Sequence, residues 1–145
     1  MTTQEQAERR AAFYADLRSE NFPQARNTML AMIDEKMHYC CLAVGQQRYQ
    51  NDKGDAADTR VVKEDRFAEF IVKEGHTEEG VSLGIMSTGA RDYYGFLFRD
   101  PTIYHDGVDS WSAAECNDSK KMNFPYIADM FEAAYPAVAN EQRIV

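Results

Sequence analysis

The strongest constraint on the fold of this chain is a run of small and apolar residues at 40–45, CCLAVG. Residues of this kind are usually buried. The residues at 37–40 predict a strand, which returns from a strand at 28–33 across a polar turn. Residues 41–49 predict a helix, and the glycine at 45 would let a neighbouring element approach that helix closely.

Local signals place two further helices near the termini. Thr3 followed by Gln6 forms a capping box, which predicts a helix over 3–19. Near the other end, Asn123 is a typical N-cap and precedes a helix predicted over 124–135. In both helices the apolar residues recur on one face, as in an amphipathic helix: Ala7, Ala11, Tyr14, Leu17, Phe124, Ile127, Phe131 and Tyr135.

The middle of the chain gives weaker signals. The stretch at 64–74 has apolar residues at helical spacing and a glycine after it, which predicts a helix. Aromatic and aliphatic residues predict strands at 81–85 and 93–98. The polar, glycine-containing stretch at 51–55 predicts a loop, and a second capping box predicts a short helix within 109–116.

Together these elements predict one α+β domain over 1–145, with helices packed on a small, mainly antiparallel sheet. A chain of 145 residues can bury a hydrophobic core of useful size. Its 44% hydrophobic and 12% aromatic residues are typical of a folded protein. The sequence shows no internal repeat or linker that would divide it.

The chain is acidic, with a formal net charge of -8. This charge argues against direct nucleic-acid binding and against an anionic membrane, since both favour a basic surface. It leaves open an acidic DNA mimic, whose ordered carboxylates imitate phosphates. The first residues are polar and acidic, unlike a secretory signal, so we expect a location in the cytoplasm with reduced thiols.

The adjacent thiols of Cys40 and Cys41 are the strongest candidates for covalent chemistry. Cys41 lies near the predicted start of a helix, where the helix dipole favours the thiolate. With His105 as base and Asp106 to orient it, Cys41 would serve a thiol-dependent hydrolase or transferase. The alternative is that both cysteines are small, buried hydrophobic residues.

A metal site would need more ligands than the cysteine pair. His38 and Cys40 share one side of the predicted strand, and Cys116 or His76 would complete a tetrahedral set. Structural zinc sites usually contain pairs of the C-x-x-C type, and this sequence has none. We therefore predict neither a metal nor another cofactor.

Aromatic rings and guanidinium groups cluster between residues 91 and 111. Rings can stack on a nucleobase while an arginine binds its phosphate, so the cluster predicts a nucleotide site. The alternative places the rings in the core and the arginines in water. The predicted ligand-binding residues are Arg91, Tyr94, Arg99, Tyr104 and Trp111.

Four segments of the chain resemble a family of small, uncharacterised proteins of tailed phages and prophages. That family has a helix ending in Leu-Arg-Ser-Gly, a Cys-Cys-Leu-Gly-Val-Leu-Cys-Asp core, a Leu-Asn-Asp motif and a last helix like Phe-x-x-Ile-Ala-Asp. This chain is similar, in the same order, at 17–20, 40–44, 115–119 and 124–132. It departs at 45–47, where the family has Leu, Cys and Asp, so the third family cysteine is absent.

The resemblance implies a phage-encoded accessory protein of the bacterial cytoplasm, from a family with no agreed enzymatic activity. We expect it to inhibit a bacterial defence system by binding a host protein or by sequestering a signalling nucleotide, and self-association is left open. The polar pair Asn117-Asp118 belongs to the resemblance. We expect its side chains to bond neighbouring backbone amides and to fix how the last helix docks.

Overall fold

The computed structural model describes residues 3–53, 59–63, 67–74, 77–81 and 85–137. Within these ranges the chain has an α+β fold, and none of its helices is long and apolar enough to cross a membrane. The elements are, in chain order, α1 (Gln4–Arg18), β1 (Leu30–Ile33), β2 (Lys36–Tyr39), α2 (Cys41–Asp52), β3 (Thr59–Lys63), β4 (Phe67–Glu74), β5 (Thr77–Val81), α3 (Thr88–Tyr94), β6 (Thr102–His105), β7 (Ser110–Ser112), α4 (Ala113–Asp118) and α5 (Phe124–Ala134).

β1 and β2 form the predicted hairpin, with Ile33 opposite Lys36. The two turn residues, Asp34 and Glu35, have positive φ angles of 50° and 64°, as in a type I′ turn. Such a turn matches the twist of paired strands and so fixes their register. The hairpin leads directly into α2.

The first hairpin is part of a five-stranded antiparallel sheet with the order β2-β1-β4-β3, in which β5 also pairs with β4. β1 contributes Leu30 and Ala31 to its pairing with β4. β4 is therefore the central strand of this sheet. A second, two-stranded sheet contains β6 and β7.

The prediction of a helix over 64–74 is wrong, because Phe67–Glu74 form β4. Over a short apolar run, helical and strand periodicities fit almost equally well. The aromatic and β-branched residues of this run favour a strand, and the antiparallel pairing with β3 and β5 completes it. Gly75, predicted to stop the helix, lies outside the described residues.

The prediction of a strand over 93–98 is also wrong. Tyr93 and Tyr94 form the end of α3, which is capped by the side chain of Ser87 at its start. Gly95 follows α3 with a φ of 77°, the left-handed conformation that ends many helices. The strand predicted at 81–85 lies partly outside the described residues.

The helices predicted from capping signals are confirmed. A capping box formed by Thr3 and Gln6 begins α1, and a second one, formed by Ser112 and Glu115, begins α4. The side chain of Asn123 caps α5. The predicted helix α2 is confirmed as well, and it continues into the first residues of the predicted loop.

Aromatic rings from α1, α3 and α5 form much of the core. The ring of Phe13 packs against four other rings at centroid distances between 5.2 and 6.3 Å: Tyr14, Tyr94, Phe96 and Phe131. Gly45 of α2 faces this ring, since a Cβ atom at Gly45 would lie 3.0 Å from Cζ of Phe13. The close approach expected at Gly45 is confirmed.

Candidate functional site

An open cleft of about 570 Å³ lies between the β6–β7 hairpin and α5. Most of its lining is aromatic or aliphatic: Tyr104, Trp111, Met122, Tyr126, Asp129, Met130 and Ala133. A smaller hollow of about 200 Å³ adjoins the cleft and shares Tyr104 and Ala133 with it. Concave surfaces lined by apolar side chains with few polar groups are typical binding sites. We call this site the aromatic cleft.

The turn between β6 and β7 positions Tyr104 in the wall of the cleft. The carboxylate of Asp106 accepts hydrogen bonds from the N–H groups of Val108 and Asp109, at 2.9 and 2.7 Å, and from the Tyr104 hydroxyl at 2.8 Å. The Asp109 amide contributes most to holding the pKa of Asp106 at about 2, below its ordinary value. The carboxylate is therefore ionised at neutral pH.

Trp111 has both faces of its ring covered by the chain itself. The Tyr104 ring stacks on Trp111 with centroids 4.1 Å apart and planes 15° apart. The Nζ atom of Lys120 lies over the Trp111 ring, 4.3 Å from its centroid. Because two rings stacked this closely leave no room for an ammonium between them, Lys120 covers the opposite face.

Helix α5 forms the other wall of the cleft through a second face, distinct from the one buried in the core. The residues of this face follow the helical spacing i, i+3, i+4 and i+7: Tyr126, Asp129, Met130 and Ala133. This face was not predicted from the sequence. The sequence signal for this face is the apolar pair Tyr126 and Met130, which does not belong to the apolar residues on the core-facing side of α5. Tyr126 is 59% exposed.

The structure separates the residues that were predicted to bind a ligand together. Tyr104 and Trp111 both line the aromatic cleft. Tyr94 is fully buried, and its hydroxyl donates a hydrogen bond of 2.6 Å to the backbone oxygen of Gly45. The prediction is wrong for Tyr94, because a ring enclosed in the core cannot meet a ligand from solvent.

The two predicted arginines are engaged away from the cleft. The guanidinium of Arg91 pairs with the carboxylate of its neighbour Asp92. Nε of Arg99 donates to the backbone oxygen of Met86 at 2.7 Å. Since neither arginine is among the residues that line the cleft, the rings and guanidinium groups do not form one site.

Cys40 and Cys41 are both buried, as the simpler interpretation of the pair predicts. Burial raises the pKa of Cys40 to about 12 and that of Cys41 well above its ordinary value. The expected lowering of the Cys41 pKa is wrong, because desolvation outweighs the effect of the helix start. The thiol of Cys41 donates to the backbone oxygen of Ala113 at 3.4 Å.

The other groups predicted for covalent or metal chemistry have different partners. Nδ1 of the exposed His105 lies 2.8 Å from the hydroxyl of Ser110, while Asp106 binds Tyr104 and its own turn. Among the described residues, no three His, Cys, Asp or Glu side chains are placed to hold a metal ion. His76 lies outside those residues.

Asn117 is fully buried, and both ends of its amide are bonded. Its oxygen accepts from Nε2 of Gln24 at 2.7 Å and from the backbone N–H of Cys41 at 3.3 Å. Its nitrogen donates to the backbone oxygen of Ala25 at 2.8 Å and to Asp118 at 2.7 Å. These bonds give Asn117 the predicted structural role, but they join α4 to α2 and to the segment before β1 rather than to the last helix.

Comparisons with models of protein families, with curated proteins and with solved structures find no match to this chain. Its function is therefore inferred from the chemistry of the aromatic cleft.

Proposed function

We propose that this chain is a phage-encoded accessory protein that binds a protein of its bacterial host and so inhibits a defence system. The main support is the aromatic cleft, in which Tyr104, Trp111 and Tyr126 lie beside two methionines. Aromatic residues and methionine are enriched at protein interfaces, and buried rings there often contribute most of the binding free energy. The phage context comes from the sequence resemblance at 40–44 and 115–119.

The lining of the cleft favours a protein partner over a signalling nucleotide. Phosphates are usually bound by arginine, lysine or the amides of a helix start. The charged side chain in the lining is instead the carboxylate of Asp129. In addition, a base could stack on Trp111 only by displacing Tyr104 or Lys120.

Binding is also favoured over thiol catalysis. A catalytic cysteine must be accessible, and its thiolate must be populated near neutral pH. Cys41 is fully buried, and the low-dielectric surroundings raise its pKa. Neither condition is met in this conformation.

Site-specific cross-linking followed by a binding measurement tests the proposal. The photoreactive residue p-benzoylphenylalanine would replace Tyr126 in the cleft or, as a matched control, Phe98 on the loop after α3. The two residues are 59% and 62% exposed, so accessibility alone does not distinguish the two positions. In bacterial cells we expect one discrete adduct from position 126 and none of the same mass from position 98.

The partner identified by mass spectrometry would then be purified and titrated by calorimetry. We expect Tyr126→Asp to weaken its binding by about 2 kcal/mol or more, as at an interface hot spot, and Phe98→Asp to change it little. Equal affinities for wild type and Tyr126→Asp would contradict the proposal, and so would identical adducts from both positions.

A further inference from the structure

Acidic side chains lie on α5 and on the β6–β7 turn, the elements that form the two walls of the aromatic cleft. Asp129 is the charged residue of the lining, and its side chain is 73% exposed. Asp106, ionised above about pH 2, binds the hydroxyl of Tyr104, and Asp109 lies on the same turn. Arg18 binds one oxygen of Asp129 at 2.8 Å and also binds Glu132, so its charge is shared between two carboxylates.

The rings of the cleft already hold a cation. The ammonium of Lys120 lies 4.3 Å from the centroid of Trp111, within the distance at which cation–π attraction operates. Lys120 itself is exposed and belongs to the segment between α4 and α5. Its ammonium therefore occupies the face of Trp111 opposite Tyr104, which indicates that rings at the edge of the cleft attract a cation.

We propose that the aromatic cleft binds an arginine side chain presented by an apolar segment of the partner protein. The inference rests on the proposed function and deepens it by naming the chemistry of the partner. The guanidinium would stack on the rings of Tyr104 and Tyr126 and pair with Asp129, while aliphatic neighbours of the arginine contact Met122 and Met130.

Arginine fits this site better than lysine or a neutral side chain. Its guanidinium is planar, stacks on aromatic rings, binds carboxylates through two N–H groups and loses hydration more easily than an ammonium. A neutral side chain would gain the apolar contacts without the attraction to Asp129 and to the ring faces. The net charge of -8 favours approach of a basic segment over long range.

Fluorescence of Trp111, the single tryptophan of the chain, reports occupancy of the cleft directly. The probe is the peptide acetyl-Ala-Leu-Arg-Leu-Ala-amide, and the matched probe has citrulline, the neutral isostere, in place of arginine. We expect a saturable change with the arginine peptide, with about tenfold weaker binding of the citrulline peptide. The difference should shrink as salt is added, since salt screens exposed charges.

Three variants separate recognition of arginine from a general effect on the fold. Asp129→Asn should weaken the arginine peptide and leave the citrulline peptide unchanged. Glu8→Gln removes an exposed carboxylate of α1 that does not line the cleft, and it should leave both peptides unchanged. Lys120→Met removes a positive charge at the edge of the cleft that repels an incoming guanidinium, so it should tighten the arginine peptide.

Equal binding of the two peptides would overturn the inference while leaving a protein-binding cleft in place. Absence of a saturable change with either peptide at millimolar concentration would also overturn it. The proposed function fails separately, when position 126 gives no specific adduct in cells.

Discussion

The side-chain oxygen of Asn117 accepts a hydrogen bond of 3.3 Å from the backbone N–H of Cys41, 76 residues earlier in the chain. Cys41 is the first residue of α2, and the N-cap residue Cys40 makes no side-chain cap bond. The first N–H groups of a helix have no partner within it. Asn117 therefore caps α2 from another helix, and this explains why a buried polar residue lies beside the cysteine pair.

Asn117→Ala should lower the free energy of unfolding by about 2 to 3 kcal/mol, because it leaves several buried polar groups without a partner. Chemical denaturation monitored by circular dichroism measures this loss. Asn51→Ala, at an exposed position on α2, is the control and should change stability by less than about 0.5 kcal/mol. Similar stabilities of the two variants would show that the Asn117 network contributes little.

Gly45→Ala should destabilise the protein by about 1 kcal/mol, although alanine is the better helix former. The added Cβ would lie 3.0 to 3.2 Å from three atoms of the Phe13 ring, and that ring is itself enclosed by other rings. The double variant Gly45→Ala with Phe13→Leu should show coupling in a double-mutant cycle. An additive cycle would mean that Phe13 does not limit this position.

The three cysteines should react with a thiol reagent only after unfolding. All three are buried, and burial raises the pKa of Cys40 to about 12 and that of Cys116 to about 11. At neutral pH the native thiolate population is therefore very small. Labelling with iodoacetamide should be fast in denaturant and slow without it. Rapid native labelling of Cys41 would restore the thiol-enzyme hypothesis.

The β6–β7 turn should respond to acid through Asp106. Its folded pKa of about 2 is below that of a free carboxylate, so its stabilising effect is present above about pH 4 and is lost as the pH falls through about 2. Trp111 emission recorded across this range should show a step that is absent from Asp106→Asn. Superimposable emission profiles of the two proteins would contradict the assignment of this acid response to Asp106.

Elements with local signals could be predicted from the sequence. The capping residues Thr3, Ser112 and Asn123 mark helix starts by chemistry that involves only neighbouring residues, and all three helices are confirmed. The burial of Cys40 and Cys41 follows equally from the apolar run around them.

Elements that depend on partners distant in the chain could not be predicted from the sequence. The apolar residues at 67–74 fit the periodicity of a helix and that of a strand. Pairing with strands elsewhere in the chain makes this stretch β4. The aromatic cleft could not be predicted for the same reason, because Tyr104 and Trp111 come from a hairpin and Tyr126 from a helix. The sequence indicated the two hairpin rings, but it could not show that α5 lies opposite them or that Tyr94 is enclosed.

The acidic DNA mimic remains a prediction from net charge. It requires an extended array of carboxylates, whereas the proposed mode of action requires the aromatic cleft. An aromatic substitution in the cleft separates the two, since it leaves the charge of the protein unchanged. Tyr126→Ala serves this purpose, and it should abolish activity only if the cleft is the binding site.

Infection of bacteria that express the protein combines the proposed activity and the proposed site in one readout. Wild type, Tyr126→Ala and the control Phe98→Ala would be expressed in strains that each carry one defence system, and phage plating efficiency would be counted. We expect wild type and Phe98→Ala to raise plating on at least one strain, and Tyr126→Ala, at equal abundance, to lose that effect. Equal rescue by Tyr126→Ala would contradict a role for the cleft, and no rescue by wild type on any strain would contradict inhibition of those defence systems.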